Sequence, residues 1–189
     1  MIKDLVLKNR SYRRFDQSFK IDTKTLEELV DLARLGGSAA NLQPLKYYLS
    51  GNEKTNAIIF EQLSWAGYLK EWGGPKEGER PSAYIVVLGD LDIARNFGCD
   101  HGIACQSILL GAVEKGLGGC IVGNIHKEPL RLALNLNSNL EVLLAIALGK
   151  PVEQVVVDDI AKDASIKYWR DEKNIHHVPK RTLEDIIVI

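Results

Sequence analysis

The sequence predicts a single domain, residues 1–189, that combines α-helices with buried β-strands. Its length of 189 residues and its hydrophobic content of 46% suit one domain with a substantial core. Residues 83–89, AYIVVLG, form a continuous β-branched run, which is typical of a central strand covered on both faces. Residues 100–115 predict a helix that is apolar on every side, and residues 118–123 predict a short buried strand after it.

The helix predicted at 100–115 is the centre of this arrangement. Because its apolar side chains cover the whole helical wheel, it must be buried or lie between two bodies. Asp100 is predicted to cap its N-terminus, and Gly116 or Gly118 to end it. These glycines do not form a dinucleotide-binding turn, because they lie at the C-terminal end of a helix, where the dipole is negative. The following strand ends at Gly123, where a backbone can approach a ligand closely.

Local patterns predict the remaining elements. Asp22 is predicted to cap an amphipathic helix that extends to about Leu35. The C-terminal residues 183–189, LEDIIVI, predict an apolar strand that no later element covers, so pairing with the sheet of another subunit is expected. Further helices are predicted at 1–9, directly after Asn52 and at 127–135, and further strands at 45–51 and 140–148.

Composition and charge exclude several classes of function. The formal net charge of −1 gives no reason to expect binding to nucleic acid or to an anionic membrane. Polar residues near the start of the central helix argue against a membrane span, which needs about 20 mostly apolar residues. Three cysteines without a CxxC pattern indicate core thiols in a reducing compartment, and the charged N-terminus does not resemble a signal peptide. We therefore expect a cytoplasmic protein.

Neither a metal site nor a nucleophilic side chain is expected. His176 and His177 lack acidic or cysteine partners at ligand spacing, and neither Ser11 nor Ser38 lies in a nucleophile motif. An enzyme without such side chains takes its chemistry from a cofactor.

Two segments carry candidate binding residues. Residues 9–15, NRSYRRF, place three arginines and a serine in a short span, and guanidinium forks suit a phosphate group. The alternative is a solvated basic patch. Residues 36–44, GGSAANLQP, offer hydroxyl and amide groups to a flat heterocycle or a polyol, and their small side chains leave room for it. The alternative is a plain connection between a helix and a strand.

Residues 64–81 interrupt the regular pattern and form a possible lid insertion. Trp65, Tyr68 and Trp72 lie beside a glycine-rich run in this segment. Two interpretations stay open: a surface excursion that its aromatic side chains fix in place, or a lid that closes on an aromatic substrate.

The order and spacing of these motifs resemble the FMN-dependent nitroreductase family over nearly the whole chain. Residues 9–15 are similar to the family's opening Arg-Arg-Ser-x-Arg-x-Phe segment, with Asn9 as a departure. Residues 37–45 are similar to its Pro-Ser-x-x-Asn-x-Gln-Pro-Trp motif, with glycine and leucine at the two ends. The buried helix and strand of 102–124, a Leu-Gly-Lys-Pro turn and a late Pro-Lys-Arg complete the resemblance.

The resemblance implies a three-layer α+β sandwich in which helices flank a central, mostly antiparallel sheet. Members of the family form an intertwined homodimer with two FMN sites at the interface. The C-terminal strand is therefore expected to be exchanged between the subunits of a homodimer. This arrangement would account for the apolar central helix and for the uncovered C-terminal residues.

The same resemblance implies which residues bind FMN. The arginine segment and the late Lys-Arg pair would hold the phosphate and ribityl end, and the loop at 38–43 would reach the flavin from the other subunit. Backbone groups of 121–124 would line the ring, with the Gly123 amide near N5, and no side chain would be catalytic. The implied cofactor-binding residues are Arg10, Ser11, Tyr12, Arg13, Ser38, Ala39, Asn41, Gln43, Ile121, Val122, Gly123, Asn124, Lys180 and Arg181. The possible lid adds Trp65, Tyr68 and Trp72 as substrate contacts.

The activity implied by the resemblance is that of an NAD(P)H-dependent oxidoreductase. NADH or NADPH would pass hydride to flavin N5, and an acceptor would then take its place in a ping-pong cycle. Nitroaromatics, quinones and free flavin are the expected acceptors, and the family also includes dehalogenation, enone reduction and flavin breakdown. The alternatives are a flavin-binding sensor or carrier without turnover, and a dimeric scaffold with solvated arginines.

Overall fold

The computed structural model describes residues 1–188, and in that range it contains six α-helices and eight strands. The helices are α1 (Ile2–Lys8), α2 (Thr23–Arg34), α3 (Glu53–Glu61), α4 (Asp100–Glu114), α5 (Lys127–Ala133) and α6 (Leu183–Ile186). The strands are β1 (Phe15–Asp16), β2 (Leu45–Ser50), β3 (Ala83–Asp90), β4 (Gly118–Val122), β5 (Leu140–Pro151), β6 (Val155–Ile160), β7 (Trp169–Arg170) and β8 (His176–Arg181).

Five of the strands form one antiparallel sheet. β5 is its longest strand and pairs along one edge with β3, which pairs in turn with β2. The other edge of β5 pairs with β4, and the end of β5, at Lys150 and Pro151, pairs with β1. β3 and β5 are therefore interior strands, which explains why both are apolar over most of their length.

Helices cover both faces of this sheet and produce three layers. On one face, Leu29 of α2 and Ile108 of α4 share a core with alternate residues of β3 and β5. On the other face, Ile59 of α3 and Leu130 of α5 share a second core with the intervening residues of the same strands. This is the three-layer α+β arrangement predicted from the sequence.

α2 and α4 approach each other closely at Gly111. A Cβ atom there would lie 2.2 Å from Cδ1 of Leu32 and 3.1 Å from Cδ2 of Leu29, so a larger residue would require these leucine side chains to move. In the same layer, two helix ends predicted from the sequence are confirmed. Asp22 caps α2 by accepting a hydrogen bond of 2.7 Å from the Thr25 amide. α4 is followed by Gly116, whose φ of 73° lies in the left-handed region.

α4 differs from the sequence prediction in two respects. Within one chain its outer face stays exposed, with Ile103 40% accessible, because α2 and the sheet cover only the other side. Asp100 is not the N-cap, a position that Cys99 takes. Asp100 lies instead in the first turn, where its buried side chain bonds to the loop at 38–43.

Residues 155–181 form a second sheet that the sequence analysis missed. β6 pairs in parallel with β8, and the short β7 pairs antiparallel with β8. Most residues of these strands are half-buried or exposed, so the sequence has no run of buried residues that would indicate them.

The prediction of a strand at 183–189 is wrong for residues 183–186. These residues form the short helix α6, in which no residue is buried. Thr182 is its N-cap residue, and the Thr182 hydroxyl donates a hydrogen bond of 3.1 Å to Asp185. The apolar pattern of this stretch concealed an acidic pair that suits the first turn of a helix. Ile189 lies outside the described residues.

Residues 1–188 contain neither a helix with the length and hydrophobicity of a membrane span nor a cluster of three histidine, cysteine or acidic side chains that could bind a metal ion. The tertiary structure does give His177 acidic neighbours that its sequence context does not reveal. They are Asp158 at 2.8 Å and Asp171 at 3.6 Å.

Candidate functional site

A groove of about 130 Å³ brings together three segments that are distant in sequence. It is lined by Arg13, Ser64, Trp65, Ala66 and residues 120–124. The amide of Tyr12 donates a hydrogen bond of 3.0 Å to the carbonyl of Gly119, which fixes the arginine segment beside β4. The amide of Ser64 donates one of 3.0 Å to the carbonyl of Asn124, which fixes the start of the possible lid.

Glu153 holds the backbone of the arginine segment. Its side chain is 1% exposed, and its Oε1 accepts hydrogen bonds from the amides of Arg13 and Arg14, the second at 3.2 Å. Its Oε2 accepts a bond of 2.8 Å from Arg170. This buried carboxylate therefore joins the arginine segment to β7, and its partners satisfy both of its oxygens.

The direct contacts of the Arg13 guanidinium are with neutral groups. Its Nη1 donates a hydrogen bond of 3.2 Å to the carbonyl of Ser11 and lies 3.3 Å from Nε2 of His176. Its Cζ lies 4.8 Å from the ring centroid of Tyr168. Burial, followed by the charges of Arg13 and Arg170, lowers the pKa of His176 to about 4, so this imidazole is neutral at pH 7. The cation can therefore pair with an anionic ligand.

The other side chains of the arginine segment have partners within the fold. Arg10 donates hydrogen bonds of 2.7 and 2.9 Å to carbonyls at the C-terminal end of α1, and the Tyr12 hydroxyl donates one of 3.1 Å to a third carbonyl there. Arg14 forms an ion pair with Glu79, whose pKa is lowered chiefly by this hydrogen bond. Of the three arginines of this segment, Arg13 is the one that lines the groove.

One buried carboxylate holds the loop at 38–43. Asp100 accepts hydrogen bonds of 2.6 Å from the Ser38 hydroxyl and 2.9 Å from the Ala39 amide. The Ser38 oxygen in turn accepts one of 2.9 Å from the Gln43 amide. Three residues of the loop have φ between 49° and 54°, a region that is unfavourable for residues other than glycine. They are Ala40, Asn41 and Gln43.

Two sets of predicted cofactor residues lie apart from the groove within one chain. The loop at 38–43 borders a separate cavity of about 160 Å³ together with Asp100 and Tyr47. Lys180 and Arg181 lie at the opposite end of β8 from His176, and the strand rise of about 3.3 Å per residue separates Lys180 from His176 by about 13 Å. Within one chain, neither set lines the Arg13 groove.

The three aromatic residues of the 64–81 segment have different surroundings. Trp65 lines the groove. The ring of Tyr68 packs on that of Tyr168 with 5.0 Å between centroids, and Trp72 lies under the guanidinium of Arg170 at 4.5 Å. Tyr68 and Trp72 therefore connect this segment to the C-terminal part of the chain.

Sequence reasoning missed several residues that shape the groove. Glu153, Tyr168 and Arg170 lie in a polar stretch without a recognisable motif, and long-range contacts alone bring them to the arginine segment. Asp100 did carry a signal, because an acidic residue at the start of an otherwise apolar helix needs a partner.

A model described as the nitroreductase family matches residues 6–150, which include the arginine segment, the 38–43 loop and β4. The chain belongs to the nitroreductase family. This confirms the resemblance inferred from the motifs.

Individual relatives of the nitroreductase family are distant. YodC of Bacillus subtilis, a protein named as an NAD(P)H nitroreductase, is 25% identical, and the match covers 78% of this chain and 89% of YodC. An FMN-dependent nitroreductase from Clostridium difficile has a TM-score of 0.66 at 21% identity, with 82% and 89% of the two chains covered. An NADPH:FMN oxidoreductase from Vibrio harveyi, solved with NAD+, has a TM-score of 0.63 at 20% identity, with 80% and 69% covered. These structures share the nitroreductase fold.

The groove fits the flavin that the family resemblance implies. Gly123 lines it, and neither backbone strain nor crowding requires a glycine there, because φ is not positive and a Cβ would meet only Leu144 at 3.5 Å. Close approach of a ligand to the backbone is a physical reason for glycine at such a position. Arg13 supplies a cation suited to phosphate, and Ile121, 40% exposed, supplies an apolar surface suited to a ring.

Proposed function

We propose that this nitroreductase family member is an FMN-dependent oxidoreductase that uses NADH or NADPH to reduce small aromatic acceptors such as nitroaromatics and quinones. The observation that carries the proposal is the groove in which Arg13, Trp65 and the exposed end of β4 meet. When bound, FMN supplies N5 as the atom that accepts and returns hydride, by a ping-pong cycle. Three free cysteines fit the proposal that the protein acts in the cytoplasm.

The contribution of the chain itself is binding and orientation. Arg13 would pair with the phosphate, while Glu153 keeps the Arg13 backbone in place. The backbone of residues 121–124 would lie against the ring and offer amide donors to it. Trp65, which lines the groove, would limit the access of water and contact an acceptor, and Tyr68 and Trp72 would close over it with the rest of the possible lid, residues 64–81.

The proposed active form is a homodimer. Its supporting observation is apolar surface on two adjacent elements: α1 has no buried residue and exposes Ile2, Val6 and Leu7, and α4 exposes Ile103. A partner seated there would cover this surface and bring a second copy of the 38–43 loop toward the groove. The exposed apolar residues of α6 and Ile187 fit a C-terminal segment exchanged with the partner, as a helix rather than as the predicted strand.

Sedimentation velocity tests the dimer. Ile103→Lys is expected to convert the protein to monomer and to release FMN, because it places a charge in the proposed interface. Ile58→Lys, on an equally apolar but distant position of α3, serves as the control and should remain a dimer with flavin bound. A dimer of unchanged affinity in Ile103→Lys would contradict the proposed interface.

Anaerobic titration tests the activity. The purified protein is expected to carry one FMN per subunit, to bleach on addition of NADH or NADPH, and to regain its colour with a nitroaromatic or a quinone. Bound flavin that neither nucleotide reduces would indicate a sensor or carrier instead. A colourless protein that takes up no added FMN would indicate the scaffold function and would contradict the proposal.

A further inference from the structure

A second cavity, of about 70 Å³, lies where α3 meets the start of β3. It shares no lining residue with the Arg13 groove, and neither the family motifs nor the proposed function involves it. Its lining includes Asn56, Phe60, Arg80, Ser82 and Tyr84. The cavity has room for more than one water molecule, since a single water needs roughly 10–15 Å³ of such space.

Three buried polar atoms of this cavity lack a hydrogen-bond partner among the described residues. They are Nε of Arg80, Oγ of Ser82 and the hydroxyl oxygen of Tyr84. Ser82 is 5% exposed and Tyr84 is fully buried, so bulk water does not reach their side chains freely. A buried polar group left without a partner is destabilising, which makes three in one cavity unusual for a folded protein.

The neighbouring side chains that could serve these atoms are already engaged. Asn56 accepts a hydrogen bond of 2.7 Å from Ser50 and donates one of 2.8 Å to the carbonyl of Ser82. The Asn56 amide oxygen therefore bonds to Ser50 and does not accept a hydrogen bond from the Ser82 hydroxyl. Burial raises the pKa of Tyr84, so its hydroxyl stays protonated and remains a donor.

The charge of Arg80 is also uncompensated. Its guanidinium lies over the ring of Phe60, with 4.4 Å from Cζ to the ring centroid, and within residues 1–188 no carboxylate forms an ion pair with it. The two nearby candidates are taken, because Glu53 pairs with Lys20 and Glu79 pairs with Arg14. A water molecule could bridge the two hydroxyls, but it would leave this half-buried cation without a counter-charge.

We propose that this cavity binds a small oxyanion, namely a carboxylate or phosphate group, held by the guanidinium of Arg80 and the hydroxyls of Ser82 and Tyr84. The guanidinium supplies charge-assisted donors, and each hydroxyl can donate one further hydrogen bond to the anion. The site is independent of the flavin groove, so it does not rest on the proposed function.

Isothermal titration calorimetry of the protein with any bound FMN retained tests the proposal with two probes, sodium acetate and inorganic phosphate, at constant ionic strength set with sodium chloride. At least one probe is expected to bind saturably at one site per chain, and the arm that binds distinguishes a carboxylate from a phosphate ligand. Arg80→Gln should weaken this binding at least tenfold, and Ser82→Ala several-fold. Arg95→Gln removes the same charge at an exposed position and should leave it unchanged.

Thermal unfolding supplies a second measurement that does not depend on the heat of binding. The bound probe should raise the midpoint temperature of unfolding of the parent protein and of Arg95→Gln. The increase should be smaller for Ser82→Ala. Ser82→Ala keeps the test valid if Arg80→Gln does not fold, because it removes one oxygen atom without changing charge. Absence of saturable binding by both probes, or equal affinity in the parent and in Ser82→Ala and Arg80→Gln, would overturn the proposal in favour of a water-filled cavity.

Discussion

The hydroxyl of Ser38 donates a hydrogen bond of 2.6 Å to Oδ2 of Asp100, although 62 residues separate them in the chain. Asp100 is 4% exposed, and its other oxygen accepts the amide of Ala39. Through these two bonds the first turn of α4 determines the conformation of a loop that contains three non-glycine residues with positive φ.

Asp100→Asn is expected to lower the free energy of unfolding by about 1–3 kcal/mol, because an amide cannot accept hydrogen bonds with both of its terminal atoms. Flavin retention should fall with it if the loop contacts FMN. Urea denaturation and FMN content after dialysis measure the two effects. Asp163→Asn, at an exposed position, is the control. Equal stability of the two variants would show that Asp100 does not hold the loop.

Arg13→Ala is expected to weaken FMN binding by about 1.5–3 kcal/mol, because it removes a charge-assisted hydrogen bond to the phosphate. Arg13→Lys keeps the charge but not the fork and should lie between Arg13→Ala and the parent. Quenching of FMN fluorescence during titration of the apoprotein gives the dissociation constants. If Arg13→Ala binds FMN as tightly as the parent, the phosphate lies elsewhere.

Gly123→Ala is expected to leave stability unchanged or raise it while it weakens FMN binding. The fold accepts a Cβ at this position with one ordinary contact of 3.5 Å, so the apoprotein should be as stable as the parent or more stable by about 0.4–1 kcal/mol. FMN should bind at least tenfold more weakly, because the added methyl group occupies the surface on which the ring would lie. Unchanged FMN affinity, measured by the same titration, would remove Gly123 from the site.

Trp72→Ala is expected to preserve FMN content and to raise the Michaelis constant for a nitroaromatic more than that for ferricyanide, because an indole can stack on a planar acceptor. Loss of the contact with Arg170 should lower the free energy of unfolding by about 0.5–1 kcal/mol. Trp169→Ala removes an indole that stacks on His177 outside the 64–81 segment and is the matched control. Equal effects on both acceptors, or none, would reduce the segment to a surface loop.

His176 makes stability depend on pH in a defined direction. Its pKa is lowered from 6.5 to about 4 in the folded protein, so between these values the unfolded chain binds a proton that the folded chain does not. Stability should therefore be complete above pH 6.5 and fall as the pH decreases toward 4, by on the order of 2 kcal/mol. Denaturation midpoints of the parent, His176→Asn and the exposed control His126→Asn measure this. The dependence of stability on pH should become weaker in His176→Asn alone. If all three proteins show the same dependence, it arises from groups other than His176.

The sequence by itself determined the elements whose signals are local. The buried run at 83–89 became an interior strand, Asp22 capped α2, and the glycine after α4 took the left-handed conformation, because each depends on residues close together in the chain. The order of the motifs also identified the family, since motif spacing is a property of the chain and needs no coordinates.

Only the tertiary structure decided how distant side chains meet. Glu153 holds the amides of Arg13 and Arg14 from 140 and 139 positions away, and no local pattern encodes such a contact. Apolar composition alone misassigned the C-terminal residues, because it does not distinguish a strand from the short helix α6 when packing is absent. The motif resemblance assigned Lys180 to the phosphate end of FMN. In the fold, Lys180 lies about 13 Å along β8 from His176, the residue that contacts Arg13, because the strand rise fixes that separation. Propensity and capping act within a few residues, whereas burial and ion pairing join groups that only the folded chain brings into contact.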